Sequence, residues 1–345
     1  MLAHRSLMRF ASGLLVGCLG VALPVLCLAE TFTDVAASSN LYQPIMYLKE
    51  QGIMEGYDDG TFRPNAKVNR AEAVKIITAP LIDDKKLEAA KKLGSSYDDV
   101  SDEAWYAPYV ELARATFKII DGPPKSETFS PEKPVLKAQF LKMFLLANDI
   151  DAPALYGELK IPLSFDAQGV AEWYYPYMRY SVASSMLMAA QDNSLTPEKE
   201  LTRGDIALIL WRHASYKNGN RTQALLSAAS EEISSIASHL EKKRIADAEY
   251  ASARALIASR GALTIQPDAD VVKAAVKTAE GFRNIVLAYK ARAAGKHQEV
   301  ITLTSDAWHL ALKAKEFSPA LGTVAAQMQT IAKSMADEAR SALKP

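Results

Sequence analysis

The sequence predicts a mainly α protein: three helix–loop–helix repeats followed by an antiparallel helical bundle. Three observations predict it. Three segments of the 345-residue chain align with one another. Within each, apolar residues at helical spacing flank a loop rich in turn formers. Beyond residue 220 the chain is rich in alanine and holds few helix breakers. Apolar content of 49% and charged content of 23% are those of a globular protein. Formal net charge is zero, so no global field argues for nucleic acid.

The first element, residues 1–29, reads as an export signal. His4, Arg5 and Arg9 precede the apolar run LLVGCLGVALPVLCLA, and Ala29 offers a small residue before Glu30. Cleavage after Ala29 is the preferred reading. The stretch LVGC, ending at Cys18, resembles a lipobox and keeps a lipid-anchored alternative open. An uncleaved anchor is the third option, although the run is marginal against the ~20 residues needed to span a bilayer. Cys18 and Cys27 are the only cysteines. After cleavage at Ala29 no thiol remains for a disulfide or a cysteine metal site, and the core alone must hold the fold.

The repeats come next, at 30–80, 95–148 and 163–216. They open on Phe32, Tyr97 and Phe165. Each reaches a Tyr-x-Pro element, at Tyr42–Pro44, Tyr106–Pro108 and Tyr174–Pro176. Each then has a loop ending in Pro64, Pro131 or Pro197, and six residues later a basic residue: Arg70, Lys137, Arg203. One interval kept three times marks a structural unit. The first helix of the first unit carries Ile45, Leu48 and Ile53 at helical spacing. GYDDGTF supplies turn chemistry, with Asp59 and Gly60 as turn formers. The second helices begin near Asn69, Leu136 and Thr202. Asn69 with Glu72 and Thr202 with Asp205 have capping-box spacing. Val68 with Ala73, Val135 with Phe140, and Leu201 with Ile206 have hydrophobic-staple spacing. Leu136 is a poor cap, so the middle helix should start more loosely. A cation at each start opposes the helix dipole. It either snorkels to solvent or helps to hold an anion.

These residues carry a resemblance to S-layer homology (SLH) domains. FTDV, GIMEGYDDGTFRP and VNRAEA carry it in the first unit; YDDV, AWYAPYVELA, FSP and LKAQF in the second; EWYYPYM, LTP and LTRGDIA in the third. The third unit departs from the pattern, with Ala167 where the others have Asp34 and Asp99, and the second and third lack the full GYxDGTF loop. The resemblance implies a pseudo-three-fold helical cluster with one helix per repeat around a central axis. It implies grooves that bind acidic, often pyruvylated, cell-wall polysaccharide or a peptidoglycan-linked glycan. Through the family's TRAE-type arginine it implies a binding role for Arg70 and Arg203, carried only in charge by Lys137, since lysine lacks arginine's planar fork. It extends that role to Trp105, Trp173, Asp34, Asp99, Gly60 and Thr61. Trp105 and Trp173 also have a structural reading, packing the first helix. Asp34 and Asp99 have one as caps of that helix or braces for an arginine.

The last element, 221–345, divides at Gly261 with Pro267, at Gly295 and at Ser318–Pro319 into four helical segments. The first, 221–259, would run ~58 Å at ~1.5 Å per residue. Leu226, Ala229, Ile233, Ile236 and Leu240 form a seam typical of a bundle. Ser318 as N-cap with Pro319 at the first helical position signals the last helix. Residues 30–220 carry a net charge of −6 and 221–345 a net of +4. An acidic repeat region that holds an acidic polymer must rely on local cations.

No catalytic or metal constellation emerges. His4, His213, His239, His297 and His309 have no ligand spacing, and YDDG lacks the further oxygen ligands that calcium needs. No cofactor is implied. The expected function is a non-enzymatic envelope protein, exported to the cell surface or periplasm and anchored by glycan, with the helical region as an interaction module for a protein partner. The alternative is an adaptor whose repeats bind a protein.

Overall fold

The computed structural model describes residues 32–121, 127–155, 157, 159–167, 172–215 and 221–343. The export signal and the break at 217–220 lie outside them. Twelve α-helices occur among the described residues, and β-type pairing there is limited to isolated bridges.

Each repeat contributes two helices: α1 (Tyr42–Glu50) and α2 (Arg70–Thr78); α4 (Ala107–Glu111), extended by a π turn to Thr116, and α5 (Lys137–Ala147); α6 (Tyr175–Ala183) and α7 (Arg203–Ser215). The short α3 (Asp84–Ala90) links the first two repeats. The three first helices end alike. Gly52, Lys118 and Ser185 take the left-handed conformation just past them, although only the first is glycine.

The second helices meet at a closed backbone ring. Val135 N–H donates to Val68 carbonyl at 2.9 Å, Leu201 N–H to Val135 at 3.0 Å, and Val68 N–H to Leu201 at 3.0 Å. All three side chains are buried, as are their staple partners Ala73, Phe140 and Ile206. This is the pseudo-three-fold cluster that the resemblance implies.

The helical region contains five helices, not four: α8 (Arg221–Glu241), α9 (Ile245–Ile265), α10 (Asp270–Ala293), α11 (His297–Phe317) and α12 (Gly322–Ala342). The long first segment folds back at Lys242–Arg244, where Lys243 adopts φ 58° without glycine or proline. Gly261 does not break α9. It sits inside the helix because a Cβ there would lie 2.4 Å from the Ala183 carbonyl of α6. Ser318 makes no side-chain cap; Pro319–Leu321 form a 3₁₀ turn that leads into α12.

Ala255, Leu256 and Ile257 of α9 and Ala279 of α10 join the same apolar core as the repeats. Arg254 reinforces that junction from almost complete burial. It binds Glu232 through two N–H···O contacts of 2.6 and 2.8 Å, the Leu163 carbonyl at 2.9 Å and Asn193 Oδ1 at 2.6 Å.

Candidate functional site: the clefts between repeats

The motif cations begin the second helices, but the amides beside them are not free. Arg70 N–H donates to Lys133 carbonyl and Ala71 N–H to Pro131. Lys137 and Ala138 bind Lys199 and Pro197, while Arg203 and Gly204 bind Ala66 and Pro64. Carbonyls of the adjacent repeat thus occupy the positions at which an anion would sit. The middle start, expected to be looser, has the same two bonds at 2.8 and 2.9 Å. The reciprocal caps form at Asn69–Glu72 and Thr202–Asp205, and Leu136 contributes only its backbone arm, to Gln139.

The cation side chains form a ring of their own. Arg70 Nε donates to Phe129 carbonyl in the second repeat at 2.9 Å. Lys137 Nζ donates to Leu195 carbonyl and Thr196 Oγ1 in the third at 2.7 and 2.6 Å. Arg203 closes the ring on the first, with Nε to Phe62 carbonyl at 2.8 Å and Nη2 to Glu55 carbonyl at 2.5 Å. The two guanidiniums also cover the rings of Phe129 and Phe62. Each cation clasps the next repeat, which explains the repeated interval physically.

Burial lowers the Arg70 and Arg203 pKa values from an ordinary value so high that both stay charged. Burial, with nearby Lys199, pushes Lys137 down to about 8. Below pH 8 the folded and unfolded chains both hold that proton, and the fold bears the full cost of a desolvated charge. Between pH 8 and the ordinary 10.5 the unfolded chain holds more proton, so rising pH favours the fold. Wild-type stability measured against Lys137→Met in urea is expected to rise by about 2 kcal/mol from pH 7.5 to 10. A flat difference would refute the shift.

The aspartates serve the loops rather than the first helix or an arginine. Asp34 accepts from Phe62 and Arg63 N–H, and Asp99 from Phe129 and Ser130 N–H. In the third repeat Asp166 does this for Leu195 and Thr196. The expected loss of the aspartate at Ala167 is therefore a register error of one residue. Ala167 matches Val35 and Val100, and Ser164 takes the buried opening slot while Phe165 is exposed. The third loop also keeps the turn of the first. Asn193 takes the positive φ of Gly60, and Asp192 accepts from Ser194 N–H as Asp59 does from Thr61. Gly60 and Thr61 are likewise committed to that turn. The Thr61 hydroxyl donates to Asp59 at 2.6 Å and, with Arg63, holds the Asp59 carboxyl down to about 2.

Trp105 and Trp173 are half exposed, each edge-on to the following tyrosine. Lysines from the preceding repeat stand over them: Lys75 Nζ at 5.4 Å from Trp105 and Lys142 Nζ at 5.7 Å from Trp173. Both lysines lie five residues after a motif cation, a spacing the sequence offered and its reading missed. At the third junction the matching residues are Leu41 and Leu208. Leu41 packs so close that a Cβ at Gly204 would lie 2.8 Å from its Cδ1.

These parts converge on a cleft of about 500 Å³ lined by Arg70, Asp121, Thr128, Gln139, Lys142 and Trp173. Among the described residues no carboxylate pairs with Arg70 or Lys142. The cleft therefore offers two cations, the Asp121 carboxylate, a carboxamide and an aromatic platform: the cations suit an acidic group, and the carboxylate and carboxamide suit sugar hydroxyls. Of the expected site residues, only Arg70 and Trp173 line it. A larger cleft, about 790 Å³ between α8, α10 and α12, is lined by residues such as Leu226, Ile233, Phe282 and Ile331, and neither carboxylate nor histidine lines it. Among the described residues no group of three or more His, Cys, Asp or Glu has metal-binding geometry, and no helix is long and apolar enough to cross a membrane.

The S-layer homology domain model matches residues 31–74 and 96–141. A surface-layer 125 kDa protein of Lysinibacillus sphaericus is 28% identical over 193 residues, 55% of this chain and 15% of its own length. A cellulosome-anchoring protein of Acetivibrio thermocellus is 25% identical over 159 residues, 46% of this chain and 34% of its own. An uncharacterized cell wall amidase of Bacillus anthracis is 30% identical over 146 residues, 40% of this chain and 25% of its own. The chain thus spans about a third or less of each relative. With the clasped ring repeating their geometry in a third unit, residues 31–74 and 96–141 are S-layer homology domains.

Proposed function

We propose that the repeat region anchors an exported, non-enzymatic protein to the cell envelope by holding an acidic wall-associated polysaccharide in the Arg70–Lys142–Trp173 cleft. The observation that carries this reading is the pair of cations, Arg70 and Lys142, that line one cleft with a half-exposed indole. A sugar ring stacks its C–H face on the indole, and Arg70 and Lys142 meet its carboxylate. Relatives with S-layer and anchoring names support the envelope location. Export follows from removal of residues 1–29, which N-terminal sequencing of the secreted protein checks.

The test is co-sedimentation with purified wall polysaccharide. Trp173→Ala and Lys142→Ala are each expected to weaken binding by about tenfold. The melting temperature should stay nearly unchanged, because Trp173 is exposed and Lys142 is only partly buried. Unchanged binding by both variants would overturn the cleft assignment. Absence of binding by the wild type would overturn the ligand. The adaptor reading, in which the repeats themselves bind a protein, is separated from this one by a pull-down with the repeat surface intact. Retention of a protein partner after removal of all glycan would favour it.

A further inference from the structure

We propose that the helical region carries a second saccharide site, built on Trp308 and one face of α12, that takes a pyranose segment of the anchoring polymer. Trp308 projects from α11 and remains 37% exposed. Beside it α12 sets Gln329, Thr330, Lys333, Ser334 and Asp337 around a shallow cleft of about 570 Å³. Positions 329, 333 and 337 recur at four-residue spacing, so one helix face presents all three side chains.

The chemistry of the set selects a sugar. A pyranose hydroxyl donates and accepts at once, and vicinal hydroxyls ask for partners of both kinds. Lys333 only donates, Asp337 only accepts, and Gln329 does both. Lys333 has no carboxylate partner among the described residues. Asp337 Oδ1 meets exposed Arg340 at 3.0 Å, which leaves Oδ2 for a ligand. The Thr330 hydroxyl is returned to the Ala326 carbonyl, so this residue offers its methyl group. Beside these the Trp308 face supplies the flat apolar surface on which the C–H side of a sugar packs. A purely apolar partner would leave Gln329, Lys333 and Asp337 desolvated without compensation, which disfavours a lipid tail or an apolar helix face as occupant.

The first cleft uses the same kit. It has one indole (Trp173), one lysine (Lys142), one carboxamide (Gln139), one carboxylate (Asp121) and one threonine (Thr128). The second assembles one of each on a different helix pair, in the part of the chain whose net charge of +4 favours an anionic polymer. That the ligand is the same polymer rests on the function proposed above. A long polysaccharide that engages both clefts gains avidity, since the first contact raises the effective concentration at the second.

Fluorine NMR of the full mature chain labelled with 5-fluorotryptophan separates the two sites. The protein has four tryptophans, Trp105, Trp173, Trp211 and Trp308, and single Trp→Phe variants assign the four resonances. The probe is a set of size-fractionated oligosaccharides released from purified wall polysaccharide. The Trp308 resonance is expected to shift saturably. Lys333→Ala and Gln329→Ala should each weaken that titration by about tenfold and leave the Trp173 curve unchanged. Movement of Trp173 with Trp308 static overturns this site and leaves the first cleft standing. Movement of Trp308 alone supports this site and overturns the first cleft. If neither resonance moves, both assignments fall.

Discussion

Replacing Arg254 with alanine is expected to lower the stability of the folded chain by about 3–5 kcal/mol. The residue is 2% exposed, and its side chain serves four acceptors at once: both oxygens of Glu232, the Leu163 carbonyl and Asn193 Oδ1. Deleting it does more than remove attraction. It leaves a partly buried carboxylate and two polar oxygens without a donor, and such orphaned groups account for most of the cost of breaking a buried pair. The damage should also localise. Leu163 and Asn193 belong to the third repeat, whereas Glu232 and Arg254 belong to α8 and α9, so the variant loosens the contact between repeats and bundle.

Urea unfolding followed by circular dichroism measures the loss, and hydrogen exchange at α6 and α9 locates it. Arg254→Lys should fall between the two proteins, because one ammonium cannot reach four acceptors laid out for a planar fork. A loss below about 1 kcal/mol for the alanine variant would show that the network is ornamental. A replacement of both Arg254 and Glu232 by apolar residues of similar volume should cost less than Arg254→Ala, since it removes the orphan with its partner.

Much of this architecture is legible in the residues, and the failures have physical causes. The six-residue interval from Pro64 to Arg70, from Pro131 to Lys137 and from Pro197 to Arg203 located all three second helices. It was legible because those cations and the prolines' carbonyls belong to one junction: Pro131 accepts from Ala71 and Phe129 from Arg70. The purpose of the interval was not legible. A clasp and a ligand contact require the same residue at the same place, and only the position of the neighbouring repeat tells them apart. The slip at Phe165 arose because an aromatic residue dominated the alignment, while the physical constant was an aspartate receiving two loop amides. The turn at Lys243 was hidden because neither glycine nor proline marks it. Lys75 and Lys142 were missed for a different reason. Their partners, Trp105 and Trp173, stand in the following repeat, so no local pattern joins them.

Arg203→Ala is the second large effect, an expected loss of about 2–4 kcal/mol. Its Nε–H···O contact to Phe62 holds the first repeat's loop against α7, and Nη2 reaches Glu55 in the same loop. The guanidinium also lies 4.5 Å from the Phe62 ring centroid and 5.1 Å from that of Tyr57. Water can replace the donor at Glu55, which is exposed, but not easily at the buried Phe62 carbonyl, so the cost stays below that of Arg254. This changes how a binding assay on the motif must be read. By the order of the ring, the residues that match Lys142 and Trp173 beside Arg203 are Lys75 and Trp105, but the acidic Glu72 stands where Arg70 has the carboxamide of Gln139, and its charge acts on Arg203 in place of an anionic ligand. Glycan binding by Arg203→Ala should therefore fall only as the fold falls, and recover when the assay is cooled or a stabilising osmolyte is added. Trp173→Ala should lose binding at full stability under the same conditions. A stable Arg203→Ala protein that fails to bind would reverse this assignment and make the third junction a ligand site.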